Sequence, residues 1–277
     1  MGGLEAVDAR YQALWARIQE VLGDDPRVRS VVLSGSVADG TADAWSDLDV
    51  QVISQPEHHD ALVADWPVWL AAITPTVFAR TPLAPFIVNA VTAEGLTLDV
   101  SVWSGSAPTG PFAPTEYAVG QLSGQRFARV GDALEYAVAE QLRGLAGPFI
   151  SLLRREEHVR HLTGVPHLLG LLVTVFLAET GAPPPGKHWN RTLTDEQRAV
   201  VAGLPPARAT REDTVAWGLA VAELIVTRAR PLYDRYGLTW PAELAAVAAA
   251  RLRDQLGIET GKWLSPPAGG PATPSPR

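Results

Sequence analysis

The 277-residue chain contains no cysteine, which excludes disulfide bonds and metal sites built from thiolates. Lysine is nearly absent as well, since Lys187 and Lys262 are the only two. The longest apolar run, residues 168–178, is too short to span a bilayer. The first residues carry charges where a secretion signal has an apolar stretch. We therefore expect a cytoplasmic protein with no membrane partner.

The net charge of −7 is unevenly distributed along the chain. Residues 1–132 hold 7 basic and 16 acidic residues, whereas residues 133–277 hold 16 basic and 14 acidic ones. Binding to the phosphates of a nucleic acid needs clustered Lys and Arg, so the acidic N-terminal half argues against a nucleic-acid partner. It favours a small cationic acceptor through long-range attraction. It is equally consistent with acids that serve only solubility.

Periodicity divides the chain into a β-rich first half and a helical second half. Helical spacing predicts a first helix over residues 4–22, a second over residues 56–73 that bends or breaks at Pro67, and an apolar bundle helix over residues 165–180. Apolar runs bounded by turn residues predict strands at 28–34, 48–53, 77–80, 86–92 and 96–103, with a hairpin turn at Glu94-Gly95.

The first two predicted strands are joined through a turn of small residues, Ser34-Gly35-Ser36. Such residues let backbone N–H groups approach an anion, and the Ser36 hydroxyl adds a further donor. The turn therefore predicts a loop that holds a phosphate.

Asp47 and Asp49 stand at the start of the second strand. Because side chains alternate along a strand, both carboxylates point to one face while Leu48 points to the other. Two carboxylates on one face repel each other unless a cation lies between them. Mg²⁺ takes one or two carboxylates together with substrate phosphates, so the stretch predicts a metal–nucleotide site.

The order Gly35-Ser36, then Asp47-Leu48-Asp49, resembles the signature of the DNA polymerase β-like nucleotidyltransferase superfamily. Within it, the chain looks most like the bacterial aminoglycoside and lincosamide adenylyltransferases. The resemblance implies an α+β fold, in which a nucleotidyltransferase domain with a mixed β-sheet and helices is followed by an α-helical bundle domain. The expected division is 1–131 for the first domain, 132–264 for the second and 265–277 for a disordered tail.

Asp99 is a third candidate, in the middle of a predicted strand where a buried, unpaired acid is costly. The cost disappears if Asp99 faces the same cation as Asp47 and Asp49, and the resemblance implies a third acid on a neighbouring strand. The antibiotic adenylyltransferases often have glutamate there and use it as the base. The shorter Asp99 is therefore expected to be a third metal ligand, a general base or both. The alternative is an exposed acid on an outer strand face.

Three candidates lie in the second half of the chain. Lys187 follows a stiff run of prolines, and the resemblance implies that a lysine at this place contacts the nucleotide phosphates. Trp189 could stack on a base or an acceptor ring, although a packing tryptophan is the simpler interpretation. Tyr233, near the end of a long predicted helix, is a further candidate for substrate binding.

These observations predict an enzyme, a nucleotidyltransferase that moves a nucleoside monophosphate, in the first place AMP from ATP, to a hydroxyl of a small molecule. The resemblance implies two Mg²⁺ ions at the three aspartates, and an aminoglycoside-like or lincosamide-like antibiotic as acceptor, hence a role in antibiotic resistance. The alternatives are the same chemistry on a biosynthetic metabolite or a protein hydroxyl, and a catalytically silent nucleotide-binding module. Both a monomer and a homodimer are compatible with the sequence.

Overall fold

The computed structural model describes residues 3–81, 86–106, 127–182 and 188–264. Its N-terminal part is built on a five-stranded sheet with the order β1-β2-β5-β4-β3. A 3-10 turn, Pro56–His58, follows β2. The other elements up to residue 104 are α1 (Arg10–Gly23), β1 (Val28–Leu33), α2 (Gly35–Ala38), β2 (Leu48–Ser54), α3 (His59–Ala64), α4 (Trp66–Ile73), β3 (Thr76–Arg80), β4 (Phe86–Thr92) and β5 (Thr97–Ser104).

The sheet is mixed, because β2 and β5 run parallel while the other three pairs are antiparallel. The parallel register sets Asp49 directly beside Asp99. The predicted hairpin joins β4 and β5, and Gly95 in its turn has φ +81°. This is a left-handed conformation that favours glycine.

One face of the sheet is covered by α1 and α4. Along β5, residues alternate between buried and half-buried positions, and Leu98, Val100 and Val102 pack into the core with Ile18 of α1. Because alternation sends neighbouring residues to opposite faces, Asp49 and Asp99 lie on the face turned away from this core.

The first predicted helix begins later than expected, and the second is divided two residues before Pro67. α1 begins at Arg10 and not at residue 4, because the Asp8 carboxylate accepts hydrogen bonds from the Arg10 backbone N–H and guanidinium and holds a turn there. Val7 still packs into the same core. The second helix breaks at Asp65, so that Pro67 falls in the first turn of α4, where its missing N–H has no helical partner.

The described part of the C-terminal half is helical. α5 packs against α7, α10 and α11, and α11 also contacts β3 of the sheet. α5 begins two residues before the predicted domain boundary, and the predicted tail lies outside the described residues. The helices are α5 (Val130–Ala146), α6 (Pro148–Arg154), α7 (His158–Thr180), α8 (Trp189–Thr192), α9 (Asp195–Ala202), α10 (Arg211–Tyr236), α11 (Ala242–Leu256) and α12 (Gly261–Leu264).

α7 is longer than the predicted bundle helix and ends at Gly181, which has φ +67°. By length and composition alone it could cross a membrane, but half of its most apolar 18-residue window is buried within the protein. Its side chains Leu171, Leu172 and Phe176 belong to the core of the helical half. These observations confirm the α+β class, a mixed sheet with helices followed by a helical region.

Candidate active site

The three predicted aspartates come together on one side of the sheet. Asp47 lies just before β2, Asp49 lies within it, and Asp99 lies beside Asp49 on β5. One carboxylate oxygen from each lies within 4.8 Å of the other two. A hard divalent cation takes oxygen ligands of this kind, so the donor set fits a metal ion such as Mg²⁺.

The electrostatics of the cluster support the same interpretation. Burial, followed by the charges of Asp47 and Asp99, raises the pKa of Asp49 to about 7. Burial also raises the pKa of Asp99 to about 6, although a hydrogen bond from Asn89 acts in the opposite direction. Within the described ranges, no salt bridge neutralises any of the three carboxylates. A cation at the cluster would remove the repulsion that disfavours their ionised forms.

Asn89 is a site residue that the sequence analysis missed. Its Nδ2 donates a hydrogen bond of 2.7 Å to Oδ1 of Asp99, across the antiparallel pair of β4 and β5. This contact orients Asp99 and leaves its Oδ2 for another partner. The sequence does contain a signal for it. Asn89 is a polar residue within an apolar strand, and placing the hairpin turn at Glu94-Gly95 sets it opposite Asp99.

The small-residue turn lies against the aspartates. The Ser34 backbone N–H donates to the carbonyl oxygen of Asp49 at 2.9 Å, so this donor is already used. Gly35 has φ +56°, and a Cβ atom added there would lie 2.1 Å from Oδ2 of Asp49. Only glycine therefore allows this approach. Ser36 lines the cleft in which the aspartates lie.

That cleft has a volume of about 430 Å³ and lies between the sheet and the helices α5, α6 and α11. Among the described residues, five arginines line it together with the aspartates, and the sequence patterns singled out none of them. Guanidinium groups bind phosphate oxygens in bidentate fashion, so this wall suits a triphosphate. The arginines are Arg10, Arg143, Arg155, Arg160 and Arg251.

Four of these arginines are held by neighbouring groups. Arg155 forms two bonds of 2.7 Å with the carboxylate of Asp43, Arg143 bonds Glu140, and Arg251 bonds the carbonyl of Gly95. Arg10 bonds Asp8. The exposed Arg160 side chain has no hydrogen bond or ion pair with any residue that the structure describes. Arg160 is thus available to a ligand.

Of the remaining candidates, two are described and do not line the cleft, and the third cannot be placed. Lys187 lies outside the described residues. Trp189 begins α8 and is 40 % exposed, but it does not line the cleft. Tyr233 is 1 % exposed and packs edge-on against Trp240 at 5.0 Å in the helical core. The structure therefore brings Asp47, Asp49, Asp99 and the turn together, and leaves Trp189 and Tyr233 outside the cleft.

Comparison with known families identifies the class. Residues 16–103, from the middle of α1 to nearly the end of β5, match the model of the nucleotidyltransferase domain family. This part of the chain is a nucleotidyltransferase domain, which confirms the superfamily predicted from the Gly-Ser and Asp-x-Asp motif and the prediction of a transferase enzyme.

Two solved structures resemble the chain distantly. One is an aminoglycoside 6-adenyltransferase from Bacillus subtilis, with 12 % identity, 85 % of this chain and 94 % of that chain covered, and a TM-score of 0.34. The other is the CdnE cyclic dinucleotide synthase of Elizabethkingia meningoseptica with GTP and Apcpp, with 13 % identity, 78 % and 90 % covered, and a TM-score of 0.30. No curated protein matches the chain. Similarities this distant do not transfer a substrate to the chain.

Proposed function

We propose that the protein transfers a nucleoside monophosphate from a nucleoside triphosphate, with ATP as the first candidate, to a hydroxyl group of a small molecule. The observation that carries the proposal is the cluster of Asp47, Asp49 and Asp99 in a cleft whose opposite wall is rich in arginine. Acids alone would repel a triphosphate, and arginines alone would not organise its reaction. Their combination is what phosphoryl-group transfer needs.

The cluster would hold a divalent cation through the carboxylate oxygens of Asp47, Asp49 and Asp99. Bound there, such a cation neutralises charge that develops around the reacting phosphorus. The arginines of the cleft would bind the phosphate oxygens, and the Ser36 hydroxyl would donate to one of them. We also propose two Mg²⁺ ions and a cytoplasmic location, where ATP is available.

Asp99 would take the proton of the acceptor hydroxyl through its free Oδ2. The acceptor oxygen then bonds to the α-phosphorus, the bond from that phosphorus to the bridging oxygen breaks, and pyrophosphate leaves. Burial, which raises the pKa of Asp99 to about 6 without a cation, favours this role where Asp47 and Asp49 hold the cation, because the carboxylate is then a better base than an exposed aspartate.

Pyrophosphate release is the direct test. The purified protein is incubated with ATP and Mg²⁺ and with a panel of hydroxyl compounds that includes aminoglycosides and lincosamides, the acceptors that the sequence resemblance implies. Asp49→Asn should lower turnover by more than the 10–100-fold typical of losing an outer partner of a metal site. Asp60→Asn, which removes an exposed acid of α3, is the matched control and should leave the rate unchanged.

A catalytically silent nucleotide-binding module is the competing candidate. Calorimetry separates the two, because an active site built on the three aspartates should bind ATP only when Mg²⁺ is present. ATP binding that is independent of Mg²⁺ and unaffected by Asp49→Asn would contradict the proposal.

A further inference from the structure

A second cavity, of about 420 Å³, opens between α5, α6 and α7 next to the catalytic cleft. Four residues line both spaces, namely Arg143, Pro148, Ser151 and Arg160. A molecule seated in the second cavity could therefore extend a group past Arg143 into the cleft that contains Asp99. The volume is within the range of sites for small molecules.

Much of the cavity wall is apolar. Leu145, Phe149, Leu152 and Leu168 line it. Two helix glycines in the wall, Gly144 and Gly164, have free space beside them, because a Cβ atom added at either would meet no described atom within 4 Å beyond its own stretch of helix. Such a surface favours a ligand with an apolar or aromatic part.

Two residues of this wall each have a buried polar atom that lacks a partner among the described residues. Oε1 of Gln141 and Nε2 of His161 form no hydrogen bond with the residues that the structure describes, although each residue is only 3 % exposed. The His161 ring is held edge-on to Trp217 at 5.3 Å. An unpaired buried polar group costs about 1–3 kcal/mol. If either side chain turns towards the cavity, a hydroxyl group of a ligand there would compensate this cost.

The charges of the cavity do not suit a polycation. Its one acid within the described residues, Glu140, is bonded by Arg143 at 2.9 Å and by Arg80 at 2.5 Å. Burial alone would raise the pKa of Glu140, but these two arginines bring it below the usual value. Burial lowers the pKa of His161 and of His167, which keeps both rings neutral near pH 7. A multiply charged amine would lose its hydration there without gaining a free carboxylate.

We propose that this cavity is the acceptor site and that the acceptor is an uncharged molecule with several hydroxyl groups and an apolar or aromatic part. The inference rests on the proposed nucleotidyl transfer, whose cleft the cavity adjoins. This proposal replaces the cationic acceptor that the acidic N-terminal half suggested. The acids of that half that reach the site line the catalytic cleft, where the cation and the nucleotide would bind, and none of those described lines the second cavity.

Substitutions at the two wall glycines test the proposal. Gly144→Phe and Gly164→Phe each fill the cavity from a different helix, without a collision at Cβ, so one remains informative if the other fails to fold. Gly23→Phe is the matched control, because Gly23 is an exposed residue at the end of α1 whose added Cβ also meets no described atom within 4 Å. The probes are chloramphenicol and phenyl glucoside as uncharged aromatic hydroxyl compounds, and kanamycin as a polycation.

Binding is measured by calorimetry in the presence of Mg²⁺ and a non-hydrolysable ATP analogue. We expect the uncharged probes to bind the wild type more tightly than kanamycin, and to bind both cavity variants at least tenfold more weakly while the control is unchanged. Tighter binding of kanamycin, no binding of either uncharged probe, or binding to the folded cavity variants that is as tight as to the wild type would each overturn the acceptor assignment.

The same samples test the acceptor site and the nucleotidyl-transfer site separately. If the wild type binds the ATP analogue only with Mg²⁺, the nucleotidyl-transfer site stands whatever the probes do. If Mg²⁺-dependent binding of the analogue is missing in the wild type, the proposed function itself fails.

Discussion

Gly35 shows how one residue adapts the turn to the acids. Its positive φ and the 2.1 Å approach of an added Cβ to Asp49 Oδ2 are two separate reasons for glycine. Elsewhere in the same segment, Gly40 has φ +69°, but a Cβ atom added there meets no atom of the described residues within 4 Å. Substitutions at Gly35 and Gly40 therefore distinguish two effects: both strain the backbone, but only a substitution at Gly35 displaces the carboxylate of Asp49.

Gly35→Ala should lower both stability and turnover, whereas Gly40→Ala should lower only stability. We expect each to cost about 1–2 kcal/mol of unfolding free energy from the left-handed conformation. Gly35→Ala should in addition reduce pyrophosphate release at least tenfold, because Asp49 must move. Denaturant unfolding and steady-state rates measure the two effects. Equal rates in the two variants would show that the close approach has no part in the chemistry.

Asp99 can be tested for its role as base. Asp99→Asn keeps the size of the side chain but cannot take a proton, so turnover should fall about 10²–10⁴-fold. Mg²⁺-dependent binding of ATP should persist, because Asp47 and Asp49 remain as ligands. If calorimetry instead shows that binding is lost together with turnover, Asp99 serves mainly as a cation ligand.

At the scale of elements, Arg155 connects the two halves of the molecule. It follows α6 and bonds Asp43 and Ser46, in the segment that leads from α2 to Asp47. The hydrogen bond from Arg155 is the main reason that the pKa of Asp43 falls to about 2. The segment that carries one metal-site acid is thus fixed by a residue of the helical half.

A double-mutant cycle of Asp43→Asn and Arg155→Met should show a coupling of about 1 kcal/mol or less, because both side chains are about one-third exposed and solvent screens the pair. Since the pKa of Asp43 is depressed, this stabilisation is present above pH 4 and is lost as the pH falls towards 2. The more exposed pair of Arg17 and Glu20 should show less coupling in the same urea titrations. If the Asp43–Arg155 pair and the Arg17–Glu20 pair show equal coupling, Arg155 does not fix the segment before Asp47 more strongly than an ordinary surface ion pair would.

At the scale of the whole molecule, the repelling acids make stability depend on pH and on cations. Asp49 and Asp99 have raised pKa values in the folded state, near 7 and 6, against about 3.9 in an unfolded chain. The folded state therefore binds more protons between these values, and its stability falls as the pH rises from 4 to 7.

Without divalent cations, the wild type should lose stability of the order of 2 kcal/mol relative to Asp49→Asn between pH 4 and pH 8. Added Mg²⁺ should raise the melting temperature of the wild type at pH 8, because a ligand that binds only the folded state stabilises it. Melting curves with EDTA and with Mg²⁺ give both results. If Asp49→Asn has the same melting temperature as the wild type at pH 4 and at pH 8, both with EDTA and with Mg²⁺, the metal site is contradicted.

The sequence predicted the strands, the acids and the turn because these depend on local patterns. Alternation in β5 and the hairpin turn at Gly95 were enough to place Asp99 on the face that carries Asp49. The arginines of the cleft were not predictable, because which of them reach it depends on how α5, α6 and α11 pack. The early residues 4–9 kept the apolar pattern of a helix, but the Asp8 turn prevailed over it.

The parallel pairing of β2 and β5 has a consequence for the time course of folding. Asp49 and Asp99 are neighbours in space but about 50 residues apart in sequence, and the strands β3 and β4 lie between them in the chain. Long-range pairings of this kind form late, because the entropy of loop closure must be overcome first. We therefore expect the cation site to form after the folding transition state. Mg²⁺ should then leave the refolding rate unchanged and slow unfolding, which stopped-flow experiments can measure.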